Sequence, residues 1–194
     1  MTFVFSWSVE AWAFWAVTAA WLAEAVVMRS SARGHPQRAP GLAVLTLAVL
    51  GALGLSLAGH QLGWGQLDGA AALGFRRGAL VVYASGVGLR WWAARQLAEL
   101  QAFTRDVRVA VDMPLATAGP YRLWAHPLYT GLWLAAVGLT GLCANLPGLL
   151  LGAALTGIVV GRRLRAEERA LETALGTRYT DWRRGRWLLI PRVW

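Results

Sequence analysis

Residues 127–161 read PLYTGLWLAAVGLTGLCANLPGLLLGAALTGIVVG, 35 positions without a charged side chain, and end abruptly at Arg162-Arg163-Leu164-Arg165-Ala166-Glu167-Glu168. As one helix they would reach roughly 52 Å, far more than the hydrocarbon thickness of about 30 Å that a membrane offers. The stretch must therefore fold back on itself. Asn145-Leu146-Pro147-Gly148 supplies the turn, since Pro147 cannot continue a preceding helix and Gly148 adapts to a bend. A tight helical hairpin then returns Arg163, Glu167 and Glu168 to the face that carries Tyr121, His126 and Tyr129 in the preceding segment GPYRLWAHPLYTG, residues 119–131.

Outward from the hairpin, the composition fits one membrane domain over residues 1–194. Of 194 residues, 57% are hydrophobic and 15% charged, well to the membrane side of a soluble domain. The net charge of +9 is that of 19 arginines, with no lysine, against 10 acidic residues, and the arginines are set beside apolar stretches and not gathered on one basic face. Anionic lipid headgroups, not nucleic acid, are the partner this pattern fits. A lone cysteine, Cys143, leaves neither a disulfide framework nor a thiolate metal site, and it reads as a small apolar filler. The N-terminus lacks the basic region of a signal peptide and Glu10 interrupts its start, so no cleavage is expected.

The spacing predicts five transmembrane helices. Three N-terminal spans fall at 7–28, 41–62 and 78–94, within residues 1–95, and the hairpin supplies two more within 96–194. Trp7, Trp12, Trp15 and Trp21 stud the first span as interface anchors and packing groups. Glu24, near its end, is costly at that depth unless solvated or paired. Residues 96–118 are too polar to cross and read as an interfacial helix followed by a loop. Arg29, Arg33 and Arg38, the cluster from Arg90 to Arg122, and the nine arginines after Gly161 all fall on one side of a five-span chain. That side is cytoplasmic by the positive-inside rule, which puts the N-terminus outside and the tail inside, with a bacterial inner membrane as the expected setting. Arg76 and Arg77 are the exception and belong at the outer interface. Gly148, Gly152, Gly157 and Gly161 form two small-xxx-small repeats; intramolecular packing is their first reading and a homodimer face their second.

His126-Pro127 opens the fourth span, with proline in the first helical turn, where its missing N–H costs nothing. The free N–H groups of that turn favour an anion. Glu167 and Glu168 across the hairpin offer carboxylates, and Tyr121, Trp124, Tyr129, Tyr179 and Trp182 offer faces for a cation. Together these suit a zwitterionic ligand with an extra positive charge, while the residues by themselves leave the ligand open.

GPYRLWAHPLYTG followed by RRLRAEERALETALGTRYTDW resembles the isoprenylcysteine carboxyl methyltransferase family and the related phospholipid methyltransferases, whose pattern runs G-x-Y-R, R-H-P-x-Y-x-G, a hydrophobic hairpin, R-x-x-x-E-E-x-x-L and G-x-x-Y-x-x-Y. The likeness covers about residues 103–194. It implies an all-α membrane protein with S-adenosylmethionine bound at the cytoplasmic face, between the start of the fourth helix and the C-terminal tail. It places Tyr121, His126, Pro127, Tyr129, Gly131, Glu167, Glu168 and Tyr179 around the methyl donor, with Glu167, Arg163 and His126 in catalytic roles. It further implies a lipid-like or prenylated acceptor arriving from the bilayer, with carboxylate O-methylation as the favoured reaction. Two positions depart from the pattern. Ala125 replaces the arginine before His-Pro, for which Arg122 or Arg163 would substitute, and Trp182 replaces the second tail tyrosine.

Two other readings stay open. Membrane sterol reductases, which use NADPH, share the hairpin but carry H-P-N-Y-x-G-E, whereas this chain has Leu128 and Leu132 at the Asn and Glu positions. A non-catalytic membrane protein that binds a lipid or a partner would keep the fold and lose the donor.

Overall fold

The computed structural model describes residues 9–27, 35–36, 42–100, 108–109 and 113–189. Backbone contact between small residues holds the bundle together. Helix α3 (Gly69–Glu99) crosses helix α4 (Pro127–Gly141) so closely that a Cβ at Gly86 would meet the Ala135 backbone, and one at Gly138 would meet the Tyr83 backbone. Helix α2 (Leu42–Gln61) lies against helix α5 (Leu146–Leu175) in the same way, Ala52 and Ser56 facing Gly152 and Gly148. Gly157 faces the Trp133 indole of α4. These three glycines therefore serve packing within the chain, the first of the two roles their spacing admits.

Helix α1 (Val9–Val27) packs on α3, where Phe14 and Trp21 flank Tyr83, Thr18 Oγ1 lies 3.1 Å from the Tyr83 hydroxyl, and Trp91 donates to the Ala20 carbonyl at 2.8 Å. At the far end of this pair Arg77 holds Glu10 through Nε and Nη2 at 3.0 and 2.8 Å, so part of the outlying Arg76-Arg77 charge is neutralised within the chain. Among the described residues, helices α1 and α2 both border a cavity and make no extensive contact with one another.

Five helices overlap the five stretches expected to span. Two of them, Ala43–Gln61 and Leu146–Leu175, are long and apolar enough to cross a membrane by length and composition. Leu47, Leu50, Leu150, Leu151 and Ile158 point outward, as an apolar exterior requires. The third helix is longer than the sequence pattern indicated, 31 residues ending at Glu99, and takes in the first part of the interfacial segment expected at 96–118. Residues 101–107 and 110–112 of that segment, and Trp7, lie outside the described residues. A two-residue antiparallel pair joins β1 (His35–Pro36) to β2 (Arg108–Val109).

The hairpin turn is made differently from the expected Pro147-Gly148 bend. Helix α4 has already ended at Gly141, Ala144 takes the left-handed conformation at φ 50°, and Asn145 caps α5 by accepting from the Gly148 N–H at 2.6 Å. Pro147 falls in the first turn of α5, where its missing N–H is harmless. Asn145 also donates to the Trp64 carbonyl, and Leu146 N–H reaches Gly65 O at 3.2 Å, fastening the turn to the α2–α3 loop. Beyond the hairpin, α5 runs four turns past its last apolar stretch. It stops at Gly176, whose φ of 54° suits a residue without Cβ, and α6 (Thr177–Arg183) doubles back beneath it.

Candidate active site

The site begins at a single 3-10 turn, Gly119–Arg122, which buries Pro120 and Tyr121 before the chain enters α4. His126 is the residue before the first turn of α4 and is 5% exposed. The tail fixes this entry: Ala125 N–H donates to Trp187 O and Trp187 N–H to Leu123 O, both at 2.8 Å, and the Thr130 hydroxyl reaches Leu189 O at 3.1 Å. The anion site expected at this turn is much reduced. Tyr129 and Thr130 both direct their N–H groups to the His126 carbonyl, Pro127 has none, and at most the Leu128 N–H is left.

From the other strand of the hairpin, successive residues of α5 point about 100° apart, so Glu167 and Glu168 enter different surroundings. Arg163 and Glu167, one turn apart, converge on Tyr129: the hydroxyl donates to Glu167, and Arg163 Nε donates to the hydroxyl at 3.0 Å. Glu168 shares its face with Leu164 and Leu171. Its Oε1 lies 2.5 Å from His126 Nε2 and accepts from the Tyr179 hydroxyl, and its Oε2 meets Arg183 Nε at 3.1 Å. His126 touches both carboxylates, its Nδ1 standing 3.7 Å from Glu167. Burial raises the Tyr179 hydroxyl pKa well above its ordinary value, and the bond to Glu168 adds to it, so this phenol stays a donor.

A cavity of about 620 Å³ opens on this cluster. Tyr121, His126, Tyr129, Arg163, Glu167 and Tyr179 line its polar end, with Trp182 stacked on Tyr179 at 5.6 Å between centroids. The Tyr121 hydroxyl faces this space without a hydrogen-bond partner among the described residues; burial raises its pKa first, Glu167 adds to the rise and Arg90 opposes it. Its other end runs between α1, α2 and α4 and is walled by Phe14, Leu22, Val49, Leu53, Leu132 and Leu139. Where the two ends meet stands a buried ion pair. Arg90 of α3 grips Glu24 of α1 through Nη2 at 2.6 Å and Nε at 2.8 Å, and its Nη1 donates to Leu128 O at 3.2 Å.

Three of the expected donor-binding residues do not line this cavity. Pro127 is buried in the first turn of α4, and Gly131 gives passage to the Arg90 stem and the Gly86 carbonyl, both of which a side chain there would strike. Glu168 is behind the wall, held by the tail. Of the two glutamates expected at the donor, Glu167 lines the cavity and Glu168 does not, because His126 and Tyr179, which themselves line it, engage Glu168 Oε1 while Arg183 takes Oε2. Arg122 is exposed and does not stand in for an arginine at position 125, whereas Arg163 does reach the cavity. Arg90 was missed, although Glu24 and Arg90 fall at matching depths near the same end of their spans. The tail's backbone pairing had no sequence signal, since it involves only main-chain atoms.

Two crossing helix pairs thus enclose an apolar chamber capped at one end by a carboxylate and aromatic cluster. Residues 75–178 match the family model described as phospholipid methyltransferase. This is more than half of the chain, which thus belongs to the phospholipid methyltransferase family, a membrane-associated methyltransferase family that includes the isoprenylcysteine carboxyl methyltransferases. The match begins in α3, earlier than the motif likeness at 103, and so takes in Arg90. No curated protein matches the chain.

Proposed function

We propose that the chain is an integral membrane methyltransferase that uses S-adenosylmethionine as methyl donor and a lipid-like molecule as acceptor. The observation that carries this reading is the continuity of the cavity: one space joins the Tyr121, Tyr129 and Glu167 cluster to an apolar chamber bounded by α1, α2 and α4. The residues present fit the donor, since a Tyr121 hydroxyl without a partner among the described residues and the Glu167 carboxylate suit a ligand with hydroxyls and positive charge. When bound, this donor supplies an electrophilic methyl group on a positively charged sulfur.

Tyr121, His126, Tyr129, Glu167 and Tyr179 hold the donor in this account, and Trp182 covers it. Arg163 keeps the Tyr129 hydroxyl and Glu167 in register, and Glu168 sets His126 and Tyr179 without touching the ligand. Their shared task is alignment and exclusion of water, the two contributions that matter most when a methyl group passes between a water-soluble and a lipid-soluble partner. His126 and Glu167 are the groups in reach for a proton released at the polar end. Five spans, with the α2–α3 loop outside and the tail in the cytoplasm, bring the polar end to the side where a soluble donor is available.

Thermal denaturation of the purified protein tests this directly. S-adenosylmethionine or its demethylated product raises Tm by mass action. A rise with NADPH and none with either of them would instead favour a reductase, and no response to any of the three a non-catalytic lipid binder.

A further inference from the structure

Among the described residues, two glutamates and two arginines line the cavity, and their charges cancel. Glu167 and Arg163 share the Tyr129 hydroxyl at the polar end, and Glu24 and Arg90 bind one another at the waist. The waist pair matters for what passes between the chambers. Glu24 is 3% exposed and the Arg90 side chain 18%, so neither charge is relieved by bulk water. A buried pair of this kind is neutral only while both partners remain, and removing either leaves an uncompensated charge in a low-dielectric wall.

We infer that the Glu24–Arg90 pair selects the acceptor, and that the acceptor is an amphiphile with an uncharged hydroxyl head, such as a long-chain phenol, and not a lipid carboxylate or ammonium. The inference rests on the methyltransferase reading above and narrows its acceptor. Hydrogen-bond capacity makes the argument. Of the five N–H groups of the Arg90 guanidinium, the bonds to Glu24 and to Leu128 O use three, leaving one on Nη1 and one on Nη2. Each Glu24 oxygen accepts one bond from Arg90 and keeps a lone pair. The waist thus presents a donor and an acceptor side by side with no net charge.

A hydroxyl, which accepts and donates at once, satisfies both. A carboxylate has nothing to give Glu24 and sets a second negative charge beside it, and an ammonium has nothing to accept from Arg90 and sets a second positive charge beside that. The polar head comes to rest between the Tyr121 cluster and the apolar chamber, with its chain among Leu22, Val49, Leu53 and Leu132. For the wall to hold a lipid carboxylate, the acceptor favoured by motif likeness, it would need an arginine not already matched by an anion, and among the described residues its two arginines stand beside Glu24 and Glu167.

The test uses three probes that differ only at the head: dodecylphenol, dodecylbenzoate and dodecylbenzylamine. Their affinities are measured by calorimetry on the full-length, donor-free protein in detergent. The phenol binds at least about tenfold more tightly than either ion. Glu24→Gln frees the Arg90 charge and turns the preference toward the benzoate, while Arg90→Gln frees Glu24 and turns it toward the benzylamine. The rise in Tm with S-adenosylmethionine reports separately on folding and on the donor site, and Glu24→Asp, which keeps the charge, retains the phenol preference if the Gln variant does not fold. Tighter binding of the benzoate or benzylamine by the parent overturns the proposal, as does a head-group preference that neither substitution moves. A parent without donor binding overturns the methyltransferase reading and this proposal with it, whereas donor binding with benzoate preference overturns this proposal alone.

Discussion

Glu167 and Glu168 are adjacent in sequence and differ in what their removal should do. Glu168 is 9% exposed and joins His126, Tyr179 and Arg183, so Glu168→Gln leaves a buried imidazole, a buried phenol and a guanidinium short of an anionic acceptor. It should lower stability by about 2 to 3 kcal/mol, read as a fall in Tm in detergent. Glu167 lies at the cavity wall. Glu167→Gln keeps the shape there and should leave stability within about 0.5 kcal/mol of the parent while weakening S-adenosylmethionine about tenfold or more by titration. The same affinity in Glu167→Gln as in the parent would remove this residue from the donor site. That two carboxylates meet His126 and Tyr129 was legible from the charge boundary at 161–168 and the hairpin. Which carboxylate faces the cavity was not, because it depends on the tail bringing Tyr179 and Arg183 to Glu168.

At the scale of elements, the α3–α4 crossing positions both Arg90 and His126, and its closeness rests on glycine. A side chain at Gly138 would enter the Tyr83 backbone, so Gly138→Leu should force the helices apart and cost about 3 kcal/mol or more in Tm-based stability. Gly88, on the same α3, has open space around its Cβ position, and Gly88→Ala should gain up to about 1 kcal/mol as an ordinary helix substitution. Equal gains at the two positions would show that helix propensity, not close approach, sets the effect. The five helices were readable because their apolar runs and arginine boundaries are strong signals. The turn was misread in detail, since Pro147 draws attention to itself while the reversal is made by Ala144 and the Asn145 cap. Glu24 and Arg90 looked unrelated because they are 66 positions apart and meet only once α1 packs on α3.

For the whole molecule, the proposed arrangement puts Trp64 and Asp68 on one side of the membrane and Arg178 and Gly185 on the other. All four are exposed, so each can be replaced by cysteine and tested in intact cells with an impermeant thiol reagent. Cysteines at 64 and 68 should react from outside and those at 178 and 185 only after permeabilisation; the reverse pattern would place the donor cluster away from the cytoplasm. The central claim is methyl transfer from S-adenosylmethionine to a lipid-like acceptor, and its most direct measurement is the fate of a labelled methyl group. Membranes containing the protein are given methyl-labelled S-adenosylmethionine, and the lipid extract is counted and searched by mass for a methylated product. Label should enter the organic phase with the parent protein and fall at least about tenfold with Glu167→Gln. Label that enters the lipid extract equally with and without the protein would contradict the account.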